Sequence, residues 1–444
     1  MAETAPVYNA KRAWLVTVMV VIMATFAAIV TFRQMTVVPL MMEYFQVDIG
    51  TYGNVSALVS LFTLVGALVS GPFQAKYGPR LLMLICCILF FVSVALQIWA
   101  AYAGFPFVVF MFLNVFGTLA YGAWMTAPPV VIGAWFPAEK RGLPNSISAT
   151  WISFGMLIVL TTSTPLVEMG GDSPLAWVNI WWMLFVLMII GFVLILIFGK
   201  MPGPENSFLP KAEETGEKAK MSNSLKNSGI WMLILCFFCF GFATAAFGNY
   251  FPTYLEAPAT AYTDPTTGIV TAGGGFGMDM AEANSLSSIC SYVMVVMGFV
   301  WGFILNKIPN KKYNTLNLWV MIFTAIAGVI MFDLPGSGAV IAYMFFYGIV
   351  SRLFPPVCFT ILPEICKNQE EVSMGTGVLS LVSNLIGTLA TSICGTMVAV
   401  TSNWNSLFWP NLFFGIVGLV AAIALMPIYR KKFAAKHQLD AVAE

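Results

Sequence analysis

Apolar runs of roughly 20 to 28 residues recur along this chain, and about 20 suffice for a helix to cross the hydrocarbon core of a bilayer. In that solvent each backbone N–H and C=O must find its partner inside the segment, so runs of this length fold as helices packed side by side. Charged residues make up 9% of the chain and hydrophobic residues 59%, against about 25% charged in soluble domains. The fold class is therefore all-α integral membrane. Hydropathy places twelve transmembrane helices at approximately 13–42, 51–73, 79–103, 105–135, 141–167, 175–199, 228–254, 283–305, 313–334, 337–360, 373–400 and 407–428. Residues 200–227, rich in Pro, Glu, Lys and Ser, read as a solvated cytoplasmic linker. It divides an N-terminal six-helix bundle (1–199) from a C-terminal six-helix bundle with a cytoplasmic tail (228–444).

Several function classes drop out. A net charge of +1, with no basic stripe interleaved with aromatics, gives no basis for nucleic-acid binding. The eight cysteines all lie in or beside apolar runs and read as small packing residues, including the Cys236-x-x-Cys239 pair, which has no partner pair and no nearby histidine. The single histidine, His437, is in the tail. No metal or cofactor is expected, and an enzyme would need a nucleophile with its base, which the spans lack. The first apolar run has no short core and small-residue cleavage site, so it reads as a retained span.

Basic residues set the orientation. Lys11, Arg12, Lys76, Arg80, Lys140, Arg141, Lys200, Lys307, Lys311, Lys312, Lys367 and Arg430–Lys432 fall on the side that holds both termini, which reads as cytoplasmic at a cell membrane. The opposite loops carry acids, among them Glu43, Asp48, Glu168, Glu256, Asp264, Asp279 and Asp333. Only Arg33 and Arg352 lack a cytoplasmic address, and both fall inside spans.

An arginine at mid-membrane costs about 2.5–3.5 kcal/mol on insertion scales, so it should face protein, water or an anion. Its planar fork matches a carboxylate or phosphate, and it stays charged when partly dehydrated. The structural alternatives are pairing with helix-end carbonyls, stacking on an aromatic ring, or reaching to the interface. Every Asp and Glu falls in a loop, a tail or a helix end. A proton relay through the membrane thus lacks its usual carboxylate, with Glu364 at the inner end of span 10 the remaining candidate, and two unneutralised cations favour exchange of one anion for another. On span 4, Asn114, Gly117, Tyr121 and Trp124 share a helical face, and on span 10 Tyr343, Tyr347 and Ser351 do so beside Arg352. Asn249 and Tyr250 precede Pro252 in span 7. The substrate-contact candidates are accordingly Arg33, Arg352, Tyr121, Tyr347, Asn114, Trp124, Asn249 and Tyr250. The outer segment 256–284, with its Gly273–Gly275 run, reads as a short hairpin or a flexible lid.

An internal repeat links the halves: Gly71-x4-Lys76-x3-Arg80 after span 2 matches Gly302-x4-Lys307-x3-Lys311 after span 8. With six plus six spans, this loop and the Trp135-Phe136-Pro137-x3-Arg141-Gly142 element, the sequence resembles the major facilitator superfamily over essentially its whole length. That resemblance implies two pseudo-symmetric bundles around a central cavity lined by spans 1, 4, 7 and 10. It also implies alternating access by a monomer in the lipid bilayer, and a cytoplasmic gate involving Gly71, Lys76, Gly78, Arg80, Glu139, Arg141, Lys307 and Glu364. The family pattern has an acid where Ala75 stands and a basic residue where Pro79 stands, so a charge lock there would have to be rebuilt from Lys76, Arg80 and Glu139. The Trp-Phe-Pro element followed by Phe154-Gly155 is similar to the oxalate/formate antiporter and monocarboxylate branches, and the span 1 arginine to organic anion and sugar-phosphate carriers. The expected function is secondary transport of a small organic anion, a carboxylate, by exchange. Alternatives are proton-coupled symport or uniport, drug or metabolite efflux, and a sensor or chaperone that keeps the fold.

Overall fold

The computed structural model describes residues 9–137, 144, 147–148, 150–202, 207–208, 227–305, 307–366 and 369–443. Among these, twelve helices are long and apolar enough to cross a membrane, beginning with Ala10–Phe32 and ending with Trp404–Ala435. The predicted linker, Glu139 and Arg141 lie largely or wholly outside the described residues.

The expected first span, 13–42, is corrected to two helices. Ala10–Phe32 ends at Arg33, and Val38–Phe45 starts anew. Pro39 explains the break: it has no N–H to donate, and its ring would press on the carbonyl four residues back. The same chemistry parts Val115–Trp124 from Ala127–Trp135 in span 4, the latter with Pro128 and Pro129 in its first turn, while the break after Phe107–Phe112, at Leu113 and Asn114, has no proline beside it. Span 10 divides into Ser337–Ser351 and Phe354–Ile365 ahead of Pro355 and Pro356. Span 7 differs, running unbroken from Ser228 to Glu256 through Pro252.

The chain forms two compact units, Met1–Val47 with Leu58–Thr215, and Asp48–Ala57 with Gly216–Glu444. In the first, Gly66 and Gly122 let spans 2 and 4 approach until backbone meets backbone: a Cβ at Gly122 would overlap the Thr63 carbonyl, and one at Gly66 the Leu119 carbonyl. Lipid gives helices no hydrophobic reason to associate, so such close packing of small residues supplies much of their attraction. In the second unit span 8 (Met280–Leu305) packs on span 10 at Gly348, where a Cβ would come within 2.7 Å of Val293 Cβ and 3.0 Å of the Cys290 carbonyl.

The segment between spans 7 and 8 forms a hairpin. Tyr262–Thr263 pairs antiparallel with Val270–Thr271, and the Gly273 N–H donates to the Ser402 carbonyl while Trp404 N–H returns a bond to the Gly273 carbonyl, each at 2.9 Å. Asp264 closes the turn by accepting from the Thr266 hydroxyl (2.6 Å) and N–H (2.8 Å), and these bonds hold its exposed carboxyl down at a pKa of about 2. Beneath the hairpin tip lies a cavity of about 400 Å³ lined by Thr267–Val270, Val398–Val400 and Asp48. Partial burial pushes the Asp48 carboxyl up, but bonds from the Thr51 N–H (2.9 Å) and hydroxyl (2.7 Å) outweigh it and leave the pKa below its ordinary value.

Candidate substrate site

Arg33 is 1% exposed and lies wholly within the first unit. Its guanidinium curls back onto the helix it terminates, donating through Nη1 to the Val30 carbonyl. Through Nη2 it donates to Gln97 Oε1 and to Asn114 Oδ1, the latter at 2.9 Å. The face of the guanidinium rests 5.2 Å from the ring centroid of Trp181, whose indole N–H donates to the same Gln97 oxygen at 3.0 Å. Gln97 also gives its Nε2 to the Phe110 carbonyl at 3.2 Å, and Ser93 Oγ donates to Asn114 at 3.1 Å. Gly117 leaves room for this cluster, since a Cβ there would stand 2.7 Å from Asn114 Oδ1. A cation at the negative end of a helix dipole, in bonds to neutral amides and over an indole, is stabilised from several sides. Two of the structural roles left open by the sequence, a helix-end carbonyl and an aromatic face, are thus both present.

Arg352 occupies the corresponding kind of place in the second unit, as the C-cap of Ser337–Ser351. Its surroundings are different. It is partly exposed, its Nη2 meets the sulfur of Met294 at 3.6 Å, and its Nε is buried with no hydrogen-bond partner among the described residues. Cys290 and Tyr347 are close enough to couple to it electrostatically. A thioether is a weak acceptor, so this guanidinium retains most of its donor capacity.

The other sequence candidates divide. Asn114 belongs to the Arg33 cluster. Tyr121 is partly exposed, its ring 6.1 Å from Trp151. Trp124 is fully buried. Tyr250 is fully buried, its hydroxyl donating to the Thr391 carbonyl at 2.6 Å, and Asn249 donates to Thr391 Oγ1 at 2.7 Å, so this pair ties span 7 to span 11. Tyr347 stacks on Tyr343 and lies tilted against Phe247, with centroids 5.7 and 4.5 Å away. Among the residues expected at a gate, Gly78 adopts φ +82° at the turn between spans 2 and 3, which only glycine enters freely. Arg80 donates to the Leu196 carbonyl at 3.1 Å, Lys76 and Lys307 are exposed, and Gly71 has nothing near its missing Cβ. Glu364, expected at a helix end, is only 8% exposed and lies near Tyr429.

Sequence reasoning passed over Gln97, Trp181, Ser287 and Ser291. A lone amide in the middle of span 3 is the signal for Gln97. It also passed over a closer repeat: Tyr121-Gly122-x5-Pro128-Pro129 and Tyr347-Gly348-x6-Pro355-Pro356, in which each glycine is the point of closest approach to the second helix of its own unit. Counting back from the prolines, Met125 stands where Arg352 does.

Twelve spans with discontinuous helices 4 and 10, and arginines at helix breaks, define a membrane carrier. The Major Facilitator Superfamily model matches residues 15–274 and 259–442, and the chain belongs to that family. It is a multi-pass membrane protein and a secondary transporter, and its relatives are transporters, not enzymes. It is 23% identical over 360 residues to MFS-type transporter 1 of Ophiocordyceps sp. (strain BCC 1869), covering 78% of this chain and 72% of that one. Over 152 residues, 34% of each chain, it is 27% identical to monocarboxylate transporter 13 of Bos taurus. With the glucose transporter GlcP of Staphylococcus epidermidis it shares 22% identity over 416 residues, 84% of each. Among solved structures, the D-xylose–proton symporter superimposes with a TM-score of 0.66 at 16% identity, covering 93% of this chain and 97% of that one.

Proposed function

We propose that this transporter carries a small organic anion, a carboxylate, and that Arg352 is the residue that binds it. The observation that carries the reading is the state of that side chain: a cation within a span, at a break in its helix, with a buried Nε–H that has no acceptor among the described residues. A carboxylate supplies two oxygens in the geometry that the guanidinium edge presents. Arg33 holds Asn114 in place within the first unit, its donors directed at groups of that unit. Similarity to a relative named for monocarboxylates supports the class of ligand.

Transport proceeds by alternating access and exchange, because an emptied site would leave Arg352 unscreened in low dielectric. Buried Glu364 favours a second reading, proton-coupled symport, since carboxylates within the membrane are the usual parts of a proton relay. The distribution of basic residues supports cytoplasmic termini at a cell membrane. The test is thermal stabilisation of the purified protein by mono- and dicarboxylates, phosphate, nitrate and cations, followed by counterflow in liposomes. Carboxylates should stabilise the wild type and not Arg352→Gln; equal stabilisation of both would end the anion reading.

A further inference from the structure

Span 8 carries a buried polar face. Ser287 and Ser291 are each 0% exposed, and neither hydroxyl has a hydrogen-bond partner among the described residues. They stand four residues apart, and Met294 follows three residues later, so all three share one helical face. That face is turned to span 10, because Met294 Sδ lies against Arg352 Nη2 and the Cys290 carbonyl is the nearest backbone to Gly348. From Ser287 to Met294 the helix rises about 10 Å. Two buried hydroxyls and the Arg352 Nε, none of them with a hydrogen-bond partner among the described residues, make one extended set of polar groups open to a ligand.

We propose that Ser287 and Ser291 receive the hydroxyl groups of a substrate whose carboxylate lies on Arg352, so that the preferred ligand is a polyhydroxylated carboxylate of sugar-acid type. This rests on the anion reading of Arg352. A serine hydroxyl both donates and accepts, as a substrate hydroxyl does, so the two satisfy each other in either sense. A plain aliphatic acid would leave both serines unpaired in a dry site, and sites built to bond a hydroxyl discriminate strongly against ligands that lack it.

Three six-carbon probes test this on the full-length protein in liposomes: gluconate, hexanoate and the neutral polyol sorbitol. Wild type should take gluconate at least about tenfold more tightly than hexanoate. Ser287→Ala/Ser291→Ala should lose that margin through weaker gluconate binding, with hexanoate affinity held within about twofold. Ser287→Thr/Ser291→Thr, which keeps both hydroxyls, should restore it and controls for folding. If the alanine variant leaves both acids unchanged, the serines hold only water and the proposal fails. It fails equally if both acids weaken together, which marks a packing role. Sorbitol carried as well as gluconate, and unaffected by Arg352→Gln, would instead refute the anion reading while leaving the serine contacts standing.

Discussion

Arg33 Nη2 and Asn114 Oδ1 are joined at 2.9 Å inside the first unit, so the end of one interrupted helix is bonded to the break in another. Because the guanidinium is buried, taking away one acceptor leaves charge-bearing N–H groups unsatisfied, at a cost of about 1–3 kcal/mol. Asn114→Leu and Gln97→Leu should each lower the thermal midpoint of the purified protein. Arg33→Gln should do so as well, whereas Arg352→Gln should leave the midpoint close to wild type and abolish carboxylate binding. Matching thermal losses for the two arginine variants would erase the distinction between a structural and a ligand-binding cation.

The twelve spans were legible because an apolar run of bilayer length has one backbone solution, and Arg33 and Arg352 stood out because neither could be assigned to a basic loop. Their difference was not legible. Both precede prolines, both cap helices, and hydropathy treats them alike. What separates them is that Gln97, Asn114 and Trp181 converge on Arg33 from three other spans, whereas Arg352 meets the sulfur of Met294. Convergence of that kind depends on helix packing, which a linear periodicity does not carry. The break at Arg33 was missed for a related reason: apolar residues continue on both sides of it, so composition gives no sign of an interruption.

Gly122 and Gly348 mark equivalent crossings in the two units, and their substitution should show it. Gly122→Ala drives a methyl group into the Thr63 carbonyl, which is backbone and cannot turn aside. Gly348→Ala meets Val293 Cβ at 2.7 Å and the Cys290 carbonyl at 3.0 Å, a less severe conflict. Overpacking of this sort costs about 1–3 kcal/mol and more where backbone must move. Gly122→Ala should therefore yield little monodisperse protein. Gly348→Ala should fold with a lowered midpoint and, by separating spans 8 and 10, weakened carboxylate binding. Wild-type yield and stability for Gly122→Ala would show that the crossing is looser than described.

Asp48 gives the N-terminal end of span 2 a pH dependence of defined sign. Its folded pKa lies below the ordinary carboxylate value because Thr51 bonds to the charged form. Its contribution is therefore complete above the unfolded value, near 4 by general experience, and is lost as pH falls through the lower folded value. Thermal melts between pH 6 and about 3 should show wild type losing stability over the lower part of that range. Asp48→Asn should start lower and lose less. A variant that tracked wild type at every pH would mean that the Thr51 bonds contribute nothing to stability.

Flux measurements decide between exchange and symport, and whether Glu364, buried in span 10, takes part. If transport is exchange, labelled substrate should enter vesicles preloaded with the same anion, fail to enter empty vesicles under an inward proton gradient, and continue to exchange in Glu364→Gln. The physical reason is that Arg352 requires a counter-charge in both access states, and the departing anion, not a proton, sets the condition for the next turnover. Under symport the pattern inverts: proton-driven uptake into empty vesicles appears in wild type, and Glu364→Gln abolishes it while sparing exchange at equilibrium. The two patterns have no outcome in common in empty vesicles, so one measurement with wild type assigns the coupling, and the variant then says whether Glu364 carries the proton.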